Sequence, residues 1–141
     1  MADLDTIRNA LGKTIQANVQ STLFVYADVA DVVELPAILI EPATADYEMT
    51  NSRGTDCWWF NIYVVCSRND PTIGQSQLDG FISGSGPDSI RAAVWTNCDL
   101  GLDDTQALVM NMMGYGGTFS DAQIPLVGAI LKARVYTNGR A

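Results

Sequence analysis

The side chains in this sequence that are best suited to chemistry are carboxylates in one short polar stretch. Asp103 and Asp104 are adjacent, and Asp99 precedes them in the same stretch. Two neighbouring carboxylates can act as a general acid and a general base, and three in a loop can bind calcium. Their spacing fits no EF-hand, however, and acids in a polar loop are usually solvated. The pattern therefore favours solvated side chains over a catalytic pair or a calcium site.

Histidine is absent from the 141 residues, and its absence removes the commonest catalytic groups. A Ser or Cys nucleophile usually needs a histidine as its base, and most zinc and iron sites need imidazole ligands. The three cysteines, Cys57, Cys66 and Cys98, show no zinc spacing and no disulfide framework. We therefore expect no enzymatic activity, no cofactor and no metal.

Two further motifs have a functional alternative beside their structural one. The run Ser83 to Asp88 precedes a predicted helix, where phosphate can bind, but it lacks the lysine of a P-loop and follows no strand. A turn between two helices is favoured. Trp58 and Trp59 could stack on nucleic-acid bases, but the apolar Phe60 and Ile62 beside them favour core packing.

The composition describes one domain, residues 1–141, whose surface is poor in charge. Apolar residues make up 48% and charged residues 17%, where about a quarter charged is typical. Such a deficit favours an oligomer. The net charge of −8 argues against tight binding of nucleic acid. No signal peptide or membrane span is evident, so we expect a cytosolic protein when made. Six acids fall in a stretch without Lys or Arg, which is either a solvated face or a surface that DNA passes: Asp28, Asp31, Glu34, Glu41, Asp46 and Glu48.

The elements that position these residues follow from periodicity. Leu4 to Val19 has helical spacing with Asp3 as a plausible N-cap, and strands are predicted at Thr22–Ala27 and Ala37–Glu41. Residues 43–55 predict a polar excursion, with a long hairpin tip as one form. The strand Cys57–Ser67 is apolar on both faces, and alternation places Cys57 and Cys66 on opposite faces, where they cannot pair.

The second half of the chain predicts a helix pair and two strands. A helix begins near Pro71, capped by Asp70 or Thr72, and a shorter one is capped by Asp88. Strands at Leu108–Met113 and about Val127–Tyr136 flank a turn at 114–117. The fold class expected is α+β, with a mainly antiparallel sheet and an N-terminal helix and a central helix pair packed on it.

The order of these motifs resembles the tail terminator subunits of siphophages, especially those of phages that infect actinobacteria. The resemblance runs across nearly the whole chain. It includes the strand 36–42, the aromatic strand Trp58–Val65 and the end of the last predicted strand, residues 133–136. Its most telling piece is a Gly-Ser break that leads into a short helix, residues 84–93.

The resemblance implies a virion structural protein of the phage tail and neck, assembled in the host cytoplasm. Such subunits form a ring, usually of six copies, that ends polymerisation of the tail tube and joins it to the head connector. Its partners are further copies of itself, the tail tube protein, the connector or adaptor protein, and double-stranded DNA that passes without tight binding. Three alternatives stay open: a head–tail adaptor or head-completion protein, a tail-tube subunit, and a small enzyme or ligand-binding domain.

Two sets of candidate site residues follow from this reading. Tyr47, Met49 and Arg53, in the polar excursion, are of types enriched in interfaces and are expected to contact a neighbouring subunit or the tube. A solvated hairpin is the alternative for them. A lumen that DNA traverses should be acidic, and the candidate lumen acids are Asp28, Asp31, Glu34, Asp99, Asp103 and Asp104.

Overall fold

The structure is a computed structural model that describes residues 4–20, 23–26, 37–46, 55–67, 71–101, 105–121 and 124–138. Within these ranges the chain forms three helices and five strands. In chain order they are α1 (Leu4–Asn18), β1 (Phe24–Tyr26), β2 (Ala37–Asp46), β3 (Thr55–Ser67), α2 (Pro71–Ile82), α3 (Ile90–Thr96), β4 (Thr105–Asp121) and β5 (Ile124–Asn138).

The described strands form one sheet in the order β1-β2-β3-β5-β4. β1 runs parallel to β2, and the other neighbours are antiparallel. The predicted α+β class, with a mainly antiparallel sheet, an N-terminal helix and a central helix pair, is confirmed. In this order β1 and β4 are the edge strands, at opposite ends of the sheet.

The three helices pack on the same face of the sheet because each has an apolar side. Ile7, Leu11 and Ile15 of α1 are fully buried at the helical spacing that predicted them. They share one core with Leu78 and Phe81 of α2. The strands contribute the residues of one alternation phase to that core: Ile38, Ile40, Phe60, Ile62, Val64, Cys66, Ala107, Val109, Ala129, Leu131, Ala133 and Val135.

Strand β3 lies in the middle of the sheet, and its two faces have different surroundings. The core face includes Phe60 and Cys66, whereas Val65 belongs to a smaller cluster on the other face, with Ala37 and Leu39. Among the described residues, no helix contributes to this second cluster. The predicted apolar character of both faces is therefore correct, and so is the separation of Cys57 from Cys66.

Helix α3 is capped by Ser89, and the prediction that Asp88 caps it was wrong. The Ser89 hydroxyl accepts a hydrogen bond from the Ala92 backbone N–H at 3.1 Å, and Ser89 has extended backbone geometry. It also donates to the Ser83 carbonyl. Ser89 is the cap in place of Asp88 because its buried hydroxyl lies within reach of both the Ala92 N–H and the Ser83 carbonyl. In α2 the start at Pro71 is confirmed, Thr72 lies inside the helix, and Asp70, like the predicted α1 cap Asp3, lies outside the described residues.

Several strands differ in length from their predictions. β2 continues to Asp46 because a β-bulge lets it pass Pro42: Phe60 pairs with Pro42 and Trp59 with Thr44. Its last residue, Asp46, pairs with Cys57, so residues 43–46 and 55 are strand, and only 47–54 of the predicted excursion lie outside the described residues. β1 is described at Phe24–Tyr26, and Leu23, within the predicted strand, precedes it; Thr22 and Ala27 lie outside the described residues.

The predicted turn at 114–117 was wrong, because these residues lie within β4. The ladder with β5 shifts register between Met113 and Gly117 and then continues to Asp121, which pairs with Ile124. Glycines in a strand commonly mark such an irregularity. β4 and β5 therefore form one long hairpin, which continues beyond the predicted turn.

Candidate interaction surfaces

Most of the candidate site residues lie outside the part of the chain that the structure describes. These are Tyr47, Met49 and Arg53 of the proposed contact, and the acids Asp28, Asp31, Glu34, Asp103 and Asp104. Asp99 is described. It is exposed, and its Oδ1 accepts a hydrogen bond from the Gly101 backbone N–H at 3.0 Å. This carboxylate stabilises a local turn, in which Gly101 has a φ of 71°.

The described residues lack two other common features, a cluster of metal-ligand side chains and a membrane-spanning helix. Among these residues, no group of three or more Cys, Asp or Glu side chains is arranged to hold a metal ion. Within the same ranges, no helix has the length and apolarity that crossing a membrane requires.

The first surface of note is apolar and lies at the β4 edge of the sheet. Trp95, on α3, is 66% exposed, and Met110, Met112 and Met113 of β4 are each more than 40% exposed. Between α3 and β4 there is a shallow cavity of about 170 Å³, lined by Arg91, Trp95, Leu108, Val109 and Met110. We call Trp95 and the three methionines the β4 edge patch.

A β-bulge explains why Met110 is exposed. Val109 pairs with Ala133 and Asn111 with Lys132, so Met110 is the extra residue between them. A bulge bends its strand and redirects its side chains, while Val109 remains in the core. The sequence predicted a strand at Leu108–Met113 but gave no sign of a bulge within it, so the patch was not predicted.

The patch has the composition of an interface. Trp and Met are enriched where proteins contact each other. Met112 pairs with the core residue Leu131 and Met113 with Ile130, so these two methionines lie on opposite faces of the sheet and share only its edge. Moreover, the edge of a sheet presents backbone N–H and C=O groups that pair readily with another chain. Both observations favour a protein partner.

The second surface is a groove at the opposite edge of the sheet, between α1 and β1. It encloses about 340 Å³ and is lined by Arg8, Asn9, Gly12, Lys13, Gln16, Val25 and Ile40. Val25 is 39% exposed. A Cβ at Gly12 would lie 3.2 Å from the Val25 Cγ1 atom, so glycine is what allows α1 to approach β1 this closely. Gln16 fixes the end of the groove by donating from Nε2 to the Leu23 carbonyl at 3.0 Å. We call this the α1–β1 groove.

A third feature is a cluster of cations and aromatic rings on the sheet face away from the helices. Trp59 pairs with Arg134 across β3 and β5. The Lys132 Nζ lies 5.3 Å from the centre of the Trp59 ring, and the Arg134 Cζ lies 5.5 Å from Trp59 and 4.8 Å from Tyr136. These distances are those of cation–π contacts.

This cluster corrects the prediction that Trp58 and Trp59 both serve core packing. Lys132 and Arg134 alternate with buried residues along β5 and are themselves half-buried. Trp58 packs against the core as expected, but Trp59 contacts cations instead. Within the described residues, the buried Nε of Arg134 has no hydrogen-bond partner, so the rings stabilise much of this guanidinium.

The cysteine thiols are placed for packing. Cys57 and Cys66 are free and buried, and Cys98 is free and half-buried. Burial raises the pKa of the Cys66 thiol to about 12, so at neutral pH it is protonated and a poor nucleophile. Cys66 therefore serves the core, as the sequence suggested.

No protein-family model matches this chain, and no curated protein matches it. The resemblance to tail terminators therefore depends on the sequence motifs alone. The β4 edge patch and the α1–β1 groove, by contrast, are seen only in the structure.

Taken together, the described residues offer surfaces for contact. Asp99, the candidate lumen acid that the described residues include, is engaged in its own turn. By contrast, the β4 edge patch is apolar, the α1–β1 groove has an apolar floor with polar walls, and both are accessible and formed by packed elements. The arrangement is suited to binding other protein chains.

Proposed function

We propose that this protein is a virion structural subunit of a long-tailed phage, and that it forms the tail terminator ring. In this role the ring caps the tail tube, ends its polymerisation and joins it to the head connector. DNA passes through its lumen without tight binding. The proposed ring has six copies, as the resemblance to tail terminators implies.

The observation that carries the assembly role is the β4 edge patch. A monomer that exposes a tryptophan on α3 and three methionines on the neighbouring edge strand β4 is prone to aggregate. A subunit whose partner covers that edge has no such problem. The low share of charged residues, 17%, supports the same conclusion, since surface hidden by neighbours needs little charge.

The chemical character of the chain supports a structural role over an enzymatic one. Its sequence has no histidine to serve as a general base. The buried Cys66 thiol is held protonated, because burial raises its pKa to about 12. Net acidity, at −8, also suits a protein past which DNA must move freely.

The test is to place an amber codon at Trp58 in the phage that encodes this chain, and to grow the mutant on suppressor and non-suppressor hosts. Without the subunit, we expect tail tubes that run past their normal length and heads that carry no tails, because nothing stops polymerisation. Electron microscopy of the lysates measures tube length and joining. The suppressor host is the control.

The outcomes also separate the neighbouring roles. Tails of normal length that fail to join heads would contradict the terminator role and indicate a head–tail adaptor. Absence of any tube would indicate a tube subunit. Infectious particles at normal yield would remove the structural role altogether.

A further inference from the structure

We propose that the β4 edge patch of one copy binds the α1–β1 groove of a second copy, with the Trp95 side chain seated in the groove. The partner is thus another molecule of this chain. The contact itself is argued from the two surfaces alone. Its closure into a ring rests on the proposed function.

The two surfaces are chemically complementary. The groove has an apolar floor at Val25 and Ile40, and the cations Arg8 and Lys13 line it. Among the aromatic side chains, tryptophan binds cations best. An indole in this groove would bury its apolar edge against Val25 while its π-face meets a guanidinium or ammonium group.

The groove is also large enough for the anchor. Its volume of about 340 Å³ is more than an indole ring needs. Its depth depends on Gly12, where any larger side chain would contact Val25. Trp95 is 66% exposed and lies on a helix that packs against β4, so it is presented on a firm support. Rigid, exposed aromatics of this kind are the usual anchors of protein interfaces.

The topology makes the contact heterologous. β1 and β4 are the outermost described strands, with three strands between them, so the groove and the patch are separated by roughly 19 Å of sheet. The Trp95 side chain of one molecule therefore cannot reach the α1–β1 groove of the same molecule. A head-to-tail contact uses one surface from each copy and closes into a ring when the rotation between copies allows it.

The experiment measures self-association of the full chain by sedimentation over micromolar to millimolar concentrations. Trp95→Ala removes the anchor, and Val25→Asp places a charge on the apolar floor. Each variant should weaken self-association by about 30-fold, the loss expected for a central aromatic anchor. Lys13→Glu changes only the charge of the lining and should weaken it less. Trp95→Phe keeps a ring and should restore most of the affinity.

Mixing the variants distinguishes a heterologous contact from a symmetric one. The Trp95→Ala chain keeps an intact groove, and the Val25→Asp chain keeps an intact Trp95. Each alone should be monomeric, whereas an equimolar mixture should form a dimer and nothing larger. Gln77→Asp, an exposed position on α2 away from both surfaces, is the matched control and should behave as wild type. Circular-dichroism melts confirm that each variant is folded.

Three results would overturn the proposal. The first is a wild-type chain that stays monomeric at millimolar concentration. The second is a Val25→Asp chain that self-associates as strongly as wild type, since this would indicate a patch-to-patch contact. The third is a wild-type ring that neither variant disturbs, a result that leaves the terminator role intact. Conversely, normal tails from the amber mutant would contradict the terminator role while the contact between copies remained measurable in solution.

Discussion

Trp58 and Trp59 are adjacent in the sequence but differ in what they contact. Trp58 packs against the main core, whereas Trp59 lies beneath Lys132 and Arg134. The difference follows from the alternation of side chains along β3. Cation–π contacts hold two of the eight basic side chains of the protein against the sheet, which makes them less available to phosphate.

Cys66 should make the stability of the protein sensitive to alkaline pH. Its folded-state pKa is raised to about 12, whereas an unfolded cysteine has a pKa of about 8.5. Below about pH 8.5 both states keep the proton, and the free energy of unfolding is unaffected. Between that pH and about 12 the unfolded state ionises first, so the free energy of unfolding should fall by about 1.4 kcal/mol per pH unit.

Urea unfolding at pH 8 and pH 10.5 measures this slope. The matched variant is Cys66→Ala, which is less stable at every pH because it leaves a cavity, but which lacks the titrating thiol. The slope of wild type should exceed that of the variant. Equal slopes would show that ionisation of Cys66 is not linked to unfolding.

At the scale of elements, α3 is the least self-sufficient. It has seven residues, far fewer than an isolated helix needs in water, so its cap and its packing must stabilise it. Ser89 provides the cap and also bonds to the Ser83 carbonyl. Arg91 adds a hydrogen bond from Nη1 to the Gly84 carbonyl at 3.2 Å. The Gly-Ser loop and α3 therefore form one unit, which presents Trp95.

Ser89→Ala should destabilise the protein by about 1–2 kcal/mol, because it removes an N-cap hydroxyl that is itself buried. Chemical denaturation measures the change. Ser85→Ala, at an exposed serine of the same loop, is the control and should change stability by less than about 0.5 kcal/mol. If both variants matched wild type, packing alone would account for α3.

The two edge strands, β1 and β4, differ in length and regularity, and each borders one of the two surfaces. β1 has three residues and is flanked by a groove, while β4 has 17 residues and carries a bulge at Met110. Short strands and bulges are common devices that keep a sheet edge from pairing indiscriminately. In this protein the β4 edge carries exposed apolar side chains, whereas the β1 edge borders the recessed α1–β1 groove.

At the scale of the whole molecule, charge should govern the relation to DNA. With a net charge of −8, the isolated protein should show no measurable affinity for duplex DNA at moderate salt, because it has few cations to displace counterions. Fluorescence anisotropy with a labelled duplex checks this. Tight binding by wild type would contradict the terminator role.

The lumen assignment extends this expectation to the assembled particle. Lysine substitutions at lumen acids should slow DNA ejection without harming assembly, since repulsion acts over the ~8 Å screening length of physiological salt. The same changes on an outer rim should have no effect. Charge reversal in both candidate stretches, residues 28–48 and 99–104, with unchanged ejection kinetics would exclude the lumen role for these acids.

The sequence by itself determined the features that depend on near neighbours. The spacing of Ile7, Leu11 and Ile15 predicted the buried side of α1, and the alternation along Cys57–Ser67 predicted both faces of β3. From these the α+β class followed. Periodicity is a local property, so it can be read without knowing what covers each face.

Tertiary structure decided where chain segments distant in sequence meet. That 114–117 is strand, and that Met110 is the extra residue opposite β5, depends on a ladder with residues far along the chain. Trp95 has the apolar character of a core residue, yet it is 66% exposed because it lies at the rim of the contact between α3 and β4, beside Leu108 and Met110. Nor could Gly12, Val25 and Lys13 be known to share a groove before α1 was placed on β1. Burial depends on the surroundings in space, and those are fixed only when all the elements have packed.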